Sequence, residues 1–116
     1  MSVAENCSSQ GCKGNVPAGL AADHMCIMHF TLFIENECAE MRRESALGNT
    51  SHERQMEYIA KISDRGEALV NVSTSGFPMS DELKARVLST LLTLMNTREN
   101  MDRAAMRQSA LRRFVG

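Results

Sequence analysis

Tryptophan is absent from the sequence, and aromatic residues make up only 4% of its 116 residues. The core must therefore be built from aliphatic side chains, with the nine methionines as adaptable fillers. Proline is also scarce: only Pro17 and Pro78 occur, so long stretches of helical composition run uninterrupted. A chain of this length supports one hydrophobic core, and we predict a single domain over residues 1–116.

An excess of charge of one sign is missing as well, because 13 basic and 14 acidic residues give a formal net charge of -1. This balance provides no general attraction toward nucleic acid or a membrane surface. No basic stretch followed by an apolar run opens the chain, and its densest apolar stretch, 25–34, is far shorter than the roughly 20 residues that a membrane span needs. We therefore expect a cytoplasmic protein without a signal peptide or a membrane partner, in which cysteines bind metal more readily than they form disulfides.

Recognisable catalytic motifs are also missing. The sequence contains no phosphate-binding loop, dinucleotide fingerprint or nucleophile elbow. Glu37 and Glu40 share a helical face, but a solvated surface explains them more simply than a catalytic pair does. We therefore expect that the protein is not an enzyme and has no catalytic residues.

The first quarter of the chain contains a group of metal-binding residue types. Cys7, Cys12, Cys26 and His29 follow the spacing C-x4-C-x13-C-x2-H. Each close pair can chelate an ion from one short piece of backbone, and Zn²⁺ prefers thiolate and imidazole ligands in tetrahedral geometry. Cys26 and His29, at positions i and i+3, would share one face of a helical turn. We predict that these residues bind a structural zinc ion, since four protein ligands leave no open position for a substrate.

This arrangement resembles the treble-clef type of zinc finger, in which a knuckle supplies two ligands and the start of a helix supplies two more. It is also similar to short bacterial and phage modules of the form C-x4-C…C-x2-H-aromatic, and Phe30 follows His29 here. The resemblance covers residues 7–30. The segment 13–25 departs from the family pattern because it is slightly long and has no obvious β-hairpin. Such fingers bind nucleic acid or proteins, so the resemblance implies a structural zinc ion without selecting a partner.

The remaining histidines and the fourth cysteine have simpler interpretations. His24 is an alternative ligand to His29, but the helical i, i+3 spacing favours His29. Cys38 lies on the apolar stripe of a predicted helix and is expected to be a core thiol. His52 is expected to be a solvated surface residue.

Three helices are predicted after the zinc knuckle, over about 23–47, 51–72 and 80–111. Asp23, Thr50 and Ser80 are their predicted N-caps, and Gly48 ends the first helix. The run Thr50-Ser51-His52-Glu53 has the pattern of a capping box, in which the Thr50 hydroxyl would accept from the Glu53 amide.

Apolar residues at helical spacing identify the predicted inner faces. They are Ile27, Phe30, Ile34, Cys38 and Met41 in the first helix, Met56, Ile59, Ile62, Leu69 and Val70 in the second, and Leu83, Val87, Leu91, Leu94 and Met95 in the third. Gly66 lies on the inner face of the second helix and would let another helix come close. We predict an all-α fold, with a zinc knuckle and the start of the first helix over 1–30 and a three-helix bundle over 31–116. The third helix is longer than a compact domain of this size needs, so we expect a homodimer to cover the remaining apolar surface.

The C-terminal part of the chain is rich in arginine. Arg103, Arg107, Arg112 and Arg113 are explained most simply as cations that stabilise a helix C-terminus. One alternative is a nucleic-acid-binding regulator, in which the knuckle and these arginines contact phosphates; the arginines are also candidate contacts to a partner.

The function that we predict is that of a non-catalytic adaptor or regulatory module, which uses structural zinc and binds an unidentified protein partner. A third possibility is a thiol-based redox or metal sensor that releases zinc on oxidation.

Overall fold

The computed structural model describes residue 7 and residues 14–48 and 50–115, and the side chains of all of these except 21–23, 105 and 108–115. The described part contains a short 3-10 helix, Ala18–Asp23, and three α-helices: α1 (Ile27–Ala46), α2 (His52–Thr74) and α3 (Asp81–Val115). No β-strand occurs in these ranges. The all-α prediction with three helices is therefore confirmed. Within the same ranges, no helix combines the length and the apolar character that a membrane crossing requires.

α3 packs against both α1 and α2 and is the central element of the bundle. α1 and α3 run parallel, because the sequence numbers of the contacting residues increase together along the two helices. Arg86 donates to the Thr31 hydroxyl at 2.9 Å, and the Thr93 hydroxyl donates to the Glu35 carboxylate at 3.2 Å.

α2 runs antiparallel to α1 and α3. Arg98 of α3 lies 3.5 Å from the Ser63 hydroxyl, whereas Leu94, one turn earlier in α3, lies nearest to Gly66. The chain therefore runs up, down and up, and the parallel pair α1 and α3 is connected through the length of α2.

α1 begins at Ile27 and not at Asp23, so the predicted N-cap was wrong. Asp23 ends the 3-10 helix, and His24 follows with a φ of 52°, in the left-handed region that interrupts a helix. Cys26 then has extended backbone and is the N-cap, with its carbonyl accepting from the Phe30 amide at 2.9 Å. The turn at His24 separates two helical segments that the sequence pattern joins into one.

The turn between α1 and α2 confirms one prediction and contradicts another. Gly48, with a φ of 71°, follows the end of α1 as expected. The N-cap of α2, however, is Ser51, whose hydroxyl accepts from the Arg54 amide at 3.1 Å. Thr50 is buried and donates its hydroxyl at 3.1 Å to the Glu44 carbonyl, near the end of α1. Because Thr50 is engaged with α1, the predicted capping box centred on it is wrong.

The core of the bundle follows the predicted stripe of α1 most closely. Ile27, Phe30, Ile34, Cys38 and Met41 are all buried. Burial is also the main reason why the pKa of the Cys38 thiol is raised above its ordinary value. Cys38 is therefore a core residue, as predicted.

The inner faces of α2 and α3 are rotated from the prediction. Ile62, Leu69, Val87 and Leu94 are buried as expected, but Met56, Val70 and Met95 are exposed. Residues that the apolar pattern did not select are buried in their place: Gln55, Tyr58, Val72, Thr90, Thr97 and Met101. Apolar residues cover a broad arc of each helix, and the position of the neighbouring helices decides which edge of that arc is covered.

α3 starts as the sequence predicts, with the Ser80 hydroxyl accepting from the Leu83 amide at 3.2 Å. It continues to Val115 and is 35 residues long, slightly more than predicted. His52, the first residue of α2, is exposed, as expected for a surface residue.

Candidate metal centre

Two of the predicted ligands lie on the opening turn of α1. Cys26 is the N-cap, and His29 is one turn further on, so both side chains occupy the same side of the helix end. The side chain of His29 is half-buried and that of Cys26 is buried.

A third predicted ligand reaches this turn from a distant part of the sequence. The Cys7 amide donates to the Gly14 carbonyl at 3.1 Å, so Cys7 lies beside the segment that leads into α1. Further along, Val16 and Leu20 are buried, and the 3-10 helix packs against α2. The segment 14–26 is thus attached to the bundle at several points before it enters α1.

The side-chain atoms of Cys7, Cys26 and His29 converge on one point. The Nδ1 atom of His29 lies 3.2 Å from the Cys7 Sγ and 3.3 Å from the Cys26 Sγ. The three ligand atoms all lie within 4.8 Å of one another, and both cysteines are buried. This group can hold a metal ion, and Nδ1 is the ring nitrogen that faces it.

The geometry fits the ion that the sequence predicts. Tetrahedral zinc with its usual bond lengths separates a sulfur ligand from a nitrogen ligand by about 3.6 Å. The observed separations from Nδ1, 3.2 and 3.3 Å, differ from this value by only a few tenths of an ångström. Thiolate and imidazole are also the donor types that Zn²⁺ selects over magnesium or calcium.

The local electrostatics favour negative charge at the same point. Among the three described α-helices, α1 alone has neither an N-cap side chain that accepts a hydrogen bond from a backbone amide nor an acidic residue in its first turn. α2 and α3 each begin with a capping serine and have acidic residues in the first turn. The partial positive charge at the start of α1 therefore faces the two cysteine sulfurs, and it would stabilise their thiolate forms.

Two predictions about the ligand set have different outcomes. His24 is exposed and does not belong to the converging group, so the geometry favours His29 over it. Cys12 lies outside the described residues, and its role as the fourth ligand stays a prediction.

An apolar cleft of about 320 Å³ adjoins the group on one side. Cys26 and Ile27 of α1 line it together with Phe77 and Leu83, which flank the start of α3. Apolar surroundings of this kind lower the local dielectric and strengthen the bonds between a metal ion and its thiolate ligands.

The C-terminal arginines are not part of this centre. Arg103 and Arg107 are exposed on α3, and Arg112 and Arg113 belong to the same helix, with side chains that are not described. Leu83 lines the cleft beside Cys26, and Arg103 follows it by about 30 Å along the helix axis.

Sequence reasoning missed Glu37, which it assigned to a solvated surface. Its carboxylate lies 2.9 Å from the Arg65 guanidinium and 3.4 Å from the Lys61 ammonium, and its side chain is only 16% exposed. The spacing of Lys61 and Arg65, one turn apart on α2, is the sequence signal that could have indicated this ion pair. Arg65 also lies over the ring of Phe33, 5.0 Å from its centre. The cluster connects α1 to α2 and has a structural role.

Comparison with known proteins gave no match to a family model, to a curated protein sequence or to a solved structure. The residues of the candidate centre and the surfaces of the helices are therefore the features of this chain that bear on its function.

Proposed function

We propose that the protein is a non-catalytic, cytoplasmic interaction or adaptor module whose N-terminal segment is held in place by a structural zinc ion. The observation that supports this proposal is the convergence of the Cys7 and Cys26 sulfurs on Nδ1 of His29. Cys12 would supply the fourth ligand. Three sulfurs and one imidazole, as in treble-clef-type fingers, close the coordination shell and leave no position for catalysis.

The zinc ion would act by connecting Cys7 to the opening turn of α1. The first 22 residues are polar and rich in glycine, and such a segment cannot bury enough apolar surface to fold independently. Coordination of a structural zinc ion contributes about 10–16 kcal/mol of apparent binding free energy in small zinc-binding peptides, and this free energy drives local folding. The apolar bundle can then present its outer surfaces to a partner.

The burial of both cysteines favours a structural ion over a sensor. A redox sensor needs thiolates that an oxidant can reach. Cys7 and Cys26 are both buried, so we expect zinc to be retained under mild oxidation. Rapid loss of zinc in dilute peroxide, with re-binding after reduction, would support the sensor instead.

The direct test is elemental analysis of the purified protein and of Cys7→Ser. We expect one zinc ion per wild-type chain and none in the variant. Cys38→Ala is the matched control, because Cys38 is a buried thiol outside the converging group, and it should keep its zinc. A wild-type protein without bound metal would leave simple thiol–imidazole hydrogen bonds as the explanation of the geometry and would overturn the proposal.

A second candidate function is nucleic-acid binding through the end of α3. The observation that favours it is that Arg103 and Arg107 are exposed one turn apart and form no ion pair with the described residues. Binding to DNA or RNA that weakens steeply with salt, and that is reduced in Arg103→Ala/Arg107→Ala, would support this function. The absence of binding at low salt would exclude it.

A further inference from the structure

The outer face of α3 has a stripe of exposed apolar side chains. Leu88, Leu92 and Met95 are 61%, 52% and 64% exposed, and their spacing of four and then three residues places them on one side of the helix. Three large apolar side chains exposed in a row are unusual for a surface that meets only water. We call residues Lys84, Leu88, Leu92, Met95 and Glu99 the α3 seam.

α2 extends this apolar surface sideways. A groove of about 410 Å³ lies between α2 and α3, and its lining includes Gly66, Val70, Leu91 and Met95. Val70 is itself 44% exposed, and Gly66 leaves room because it has no side chain. The seam and the groove together form a largely apolar face over two antiparallel helices, and Ser63, Glu67 and Arg98 also line the groove.

The two ends of the seam have opposite charge. Lys84 precedes Leu88 by one turn, and Glu99 follows Met95 by one turn. Both residues are exposed, and neither forms an ion pair within the described part of the chain. A partner that fits this face must therefore offer an acidic group at one end, a basic group at the other and apolar side chains between them.

A second copy of the same helix meets these requirements. When two α3 helices lie antiparallel with their midpoint between Leu91 and Leu92, Lys84 of each copy faces Glu99 of the other. In the same register Leu88 faces Met95, and Leu91 faces Leu92. The seam is thus complementary to itself in charge and in apolar content, which is the property of an interface with two-fold symmetry.

We propose that the protein forms a homodimer in which the α3 seams of two copies pack antiparallel. The proposal rests on the interaction role given above and names the partner as a second copy of the chain. The two-fold axis between the antiparallel α3 helices places the two α2 helices on the same side of the central pair, where each contributes Val70. Lys84 and Glu99 set the register, and the apolar side chains between them supply the attraction.

The size of the face predicts a dimer of moderate strength. From Lys84 to Glu99 the helix rises about 23 Å, and two adjacent helices are about 20 Å wide, so each copy buries roughly 500 Å². A typical stable interface buries about 800 Å² per partner. Interfaces below this size are typical of weak association, so we expect a concentration-dependent equilibrium between monomer and dimer that analytical ultracentrifugation can measure.

Charge reversal tests the register. Sedimentation equilibrium of the zinc-loaded full chain, from about 1 to 500 μM, should show a monomer–dimer equilibrium. Lys84→Glu and Glu99→Lys should each weaken the dimer about tenfold, because each reversal makes two symmetry-related contacts repulsive. The double variant Lys84→Glu/Glu99→Lys should dimerise with the same dissociation constant as the wild type. Leu92→Glu should abolish the dimer, and Asp64→Lys, a charge reversal at an exposed residue of α2 that does not line the groove, should leave it unchanged.

Several outcomes would overturn the proposal. One is a wild-type chain that stays monomeric at the highest concentration, and another is a dimer that Leu92→Glu does not affect. The third is a double variant that dimerises no more tightly than the single variants do. Zinc content and helical circular dichroism are measured on every variant, so loss of fold is recognised separately. A purified wild-type chain that dimerises but holds no zinc would contradict only the metal assignment, whereas a zinc-bound chain that stays monomeric would contradict only the dimer.

Discussion

Cys26 and His29 lie one turn apart at the start of α1, with the Cys26 Sγ 3.3 Å from the His29 Nδ1. Cys26 occupies the N-cap position, where other helices of this chain have serine. The cysteine therefore replaces an ordinary cap with a potential metal ligand. If Cys7 joins the same ion, the end of the helix is held by coordination instead of by a side-chain hydrogen bond.

This relationship predicts that metal binding and helix capping can be separated at Cys26. Cys26→Ser should lose the bound zinc but keep α1, because serine is one of the preferred N-cap residues. Cys26→Ala should lose the zinc and also destabilise the helix end by about 1 kcal/mol relative to the serine variant. Elemental analysis and urea unfolding of both variants measure the two effects. Equal stability of the two variants would contradict the N-cap assignment.

The turn before α2 gives a second prediction. Ser51→Ala should lower the free energy of unfolding by about 1 kcal/mol, since Ser51 caps α2 through the Arg54 amide. Thr50→Ser should have a smaller effect on the α2 cap, because the Thr50 hydroxyl is bonded to the Glu44 carbonyl of α1 and serine keeps a hydroxyl there. Thermal unfolding of both variants is the measurement. A Ser51→Ala variant that is as stable as the wild type would contradict the assignment of Ser51 as the N-cap.

The third prediction compares two glutamates of α1. Glu37→Gln should destabilise the fold by about 1–3 kcal/mol, because it weakens the half-buried contacts to Arg65 and Lys61. Glu40→Gln is the matched control: its carboxylate pairs with Arg43 at 3.4 Å, but both side chains are about 70% exposed, and such pairs contribute little. Denaturant unfolding should therefore show a lower free energy of unfolding for Glu37→Gln than for Glu40→Gln. If both substitutions lower the free energy of unfolding by the same amount, the contact between α1 and α2 is weaker than the structure indicates.

The fourth prediction concerns two glycines with different surroundings. A Cβ added at Gly66 would lie 3.9 Å from the nearest atom of Leu94, an ordinary contact, so Gly66→Ala should stabilise α2 by about 1 kcal/mol. Gly19 differs, because an added Cβ would lie 3.2 Å from the Val72 side chain. Gly19→Ala should therefore not raise the free energy of unfolding. A destabilised Gly66→Ala would show that the close helix approach expected from the sequence is real.

The sequence by itself determined the features that depend on neighbouring residues. The three helices, the Ser80 cap, the stop at Gly48 and the buried position of Cys38 all follow from short-range patterns, and the structure has them. The spacing of Cys26 and His29 likewise indicated that they share a helical turn, because the geometry of an α-helix fixes which residues are neighbours.

Only the tertiary structure decided the features that join distant parts of the chain. The approach of Cys7 to His29 depends on how residues 14–26 pack on the bundle, and no local pattern encodes it. The same is true of the bond from Thr50 to Glu44 and of the ion pair between Glu37 and Arg65. The apolar residues of α2 and α3 each cover a broad arc, so the sequence pattern allows each helix several rotations about its own axis. Packing of the helices selects the rotation of α2 that buries Val72 and the rotation of α3 that exposes Met95. The physical reason is that periodicity defines a face on each helix, whereas burial depends on where the other helices lie.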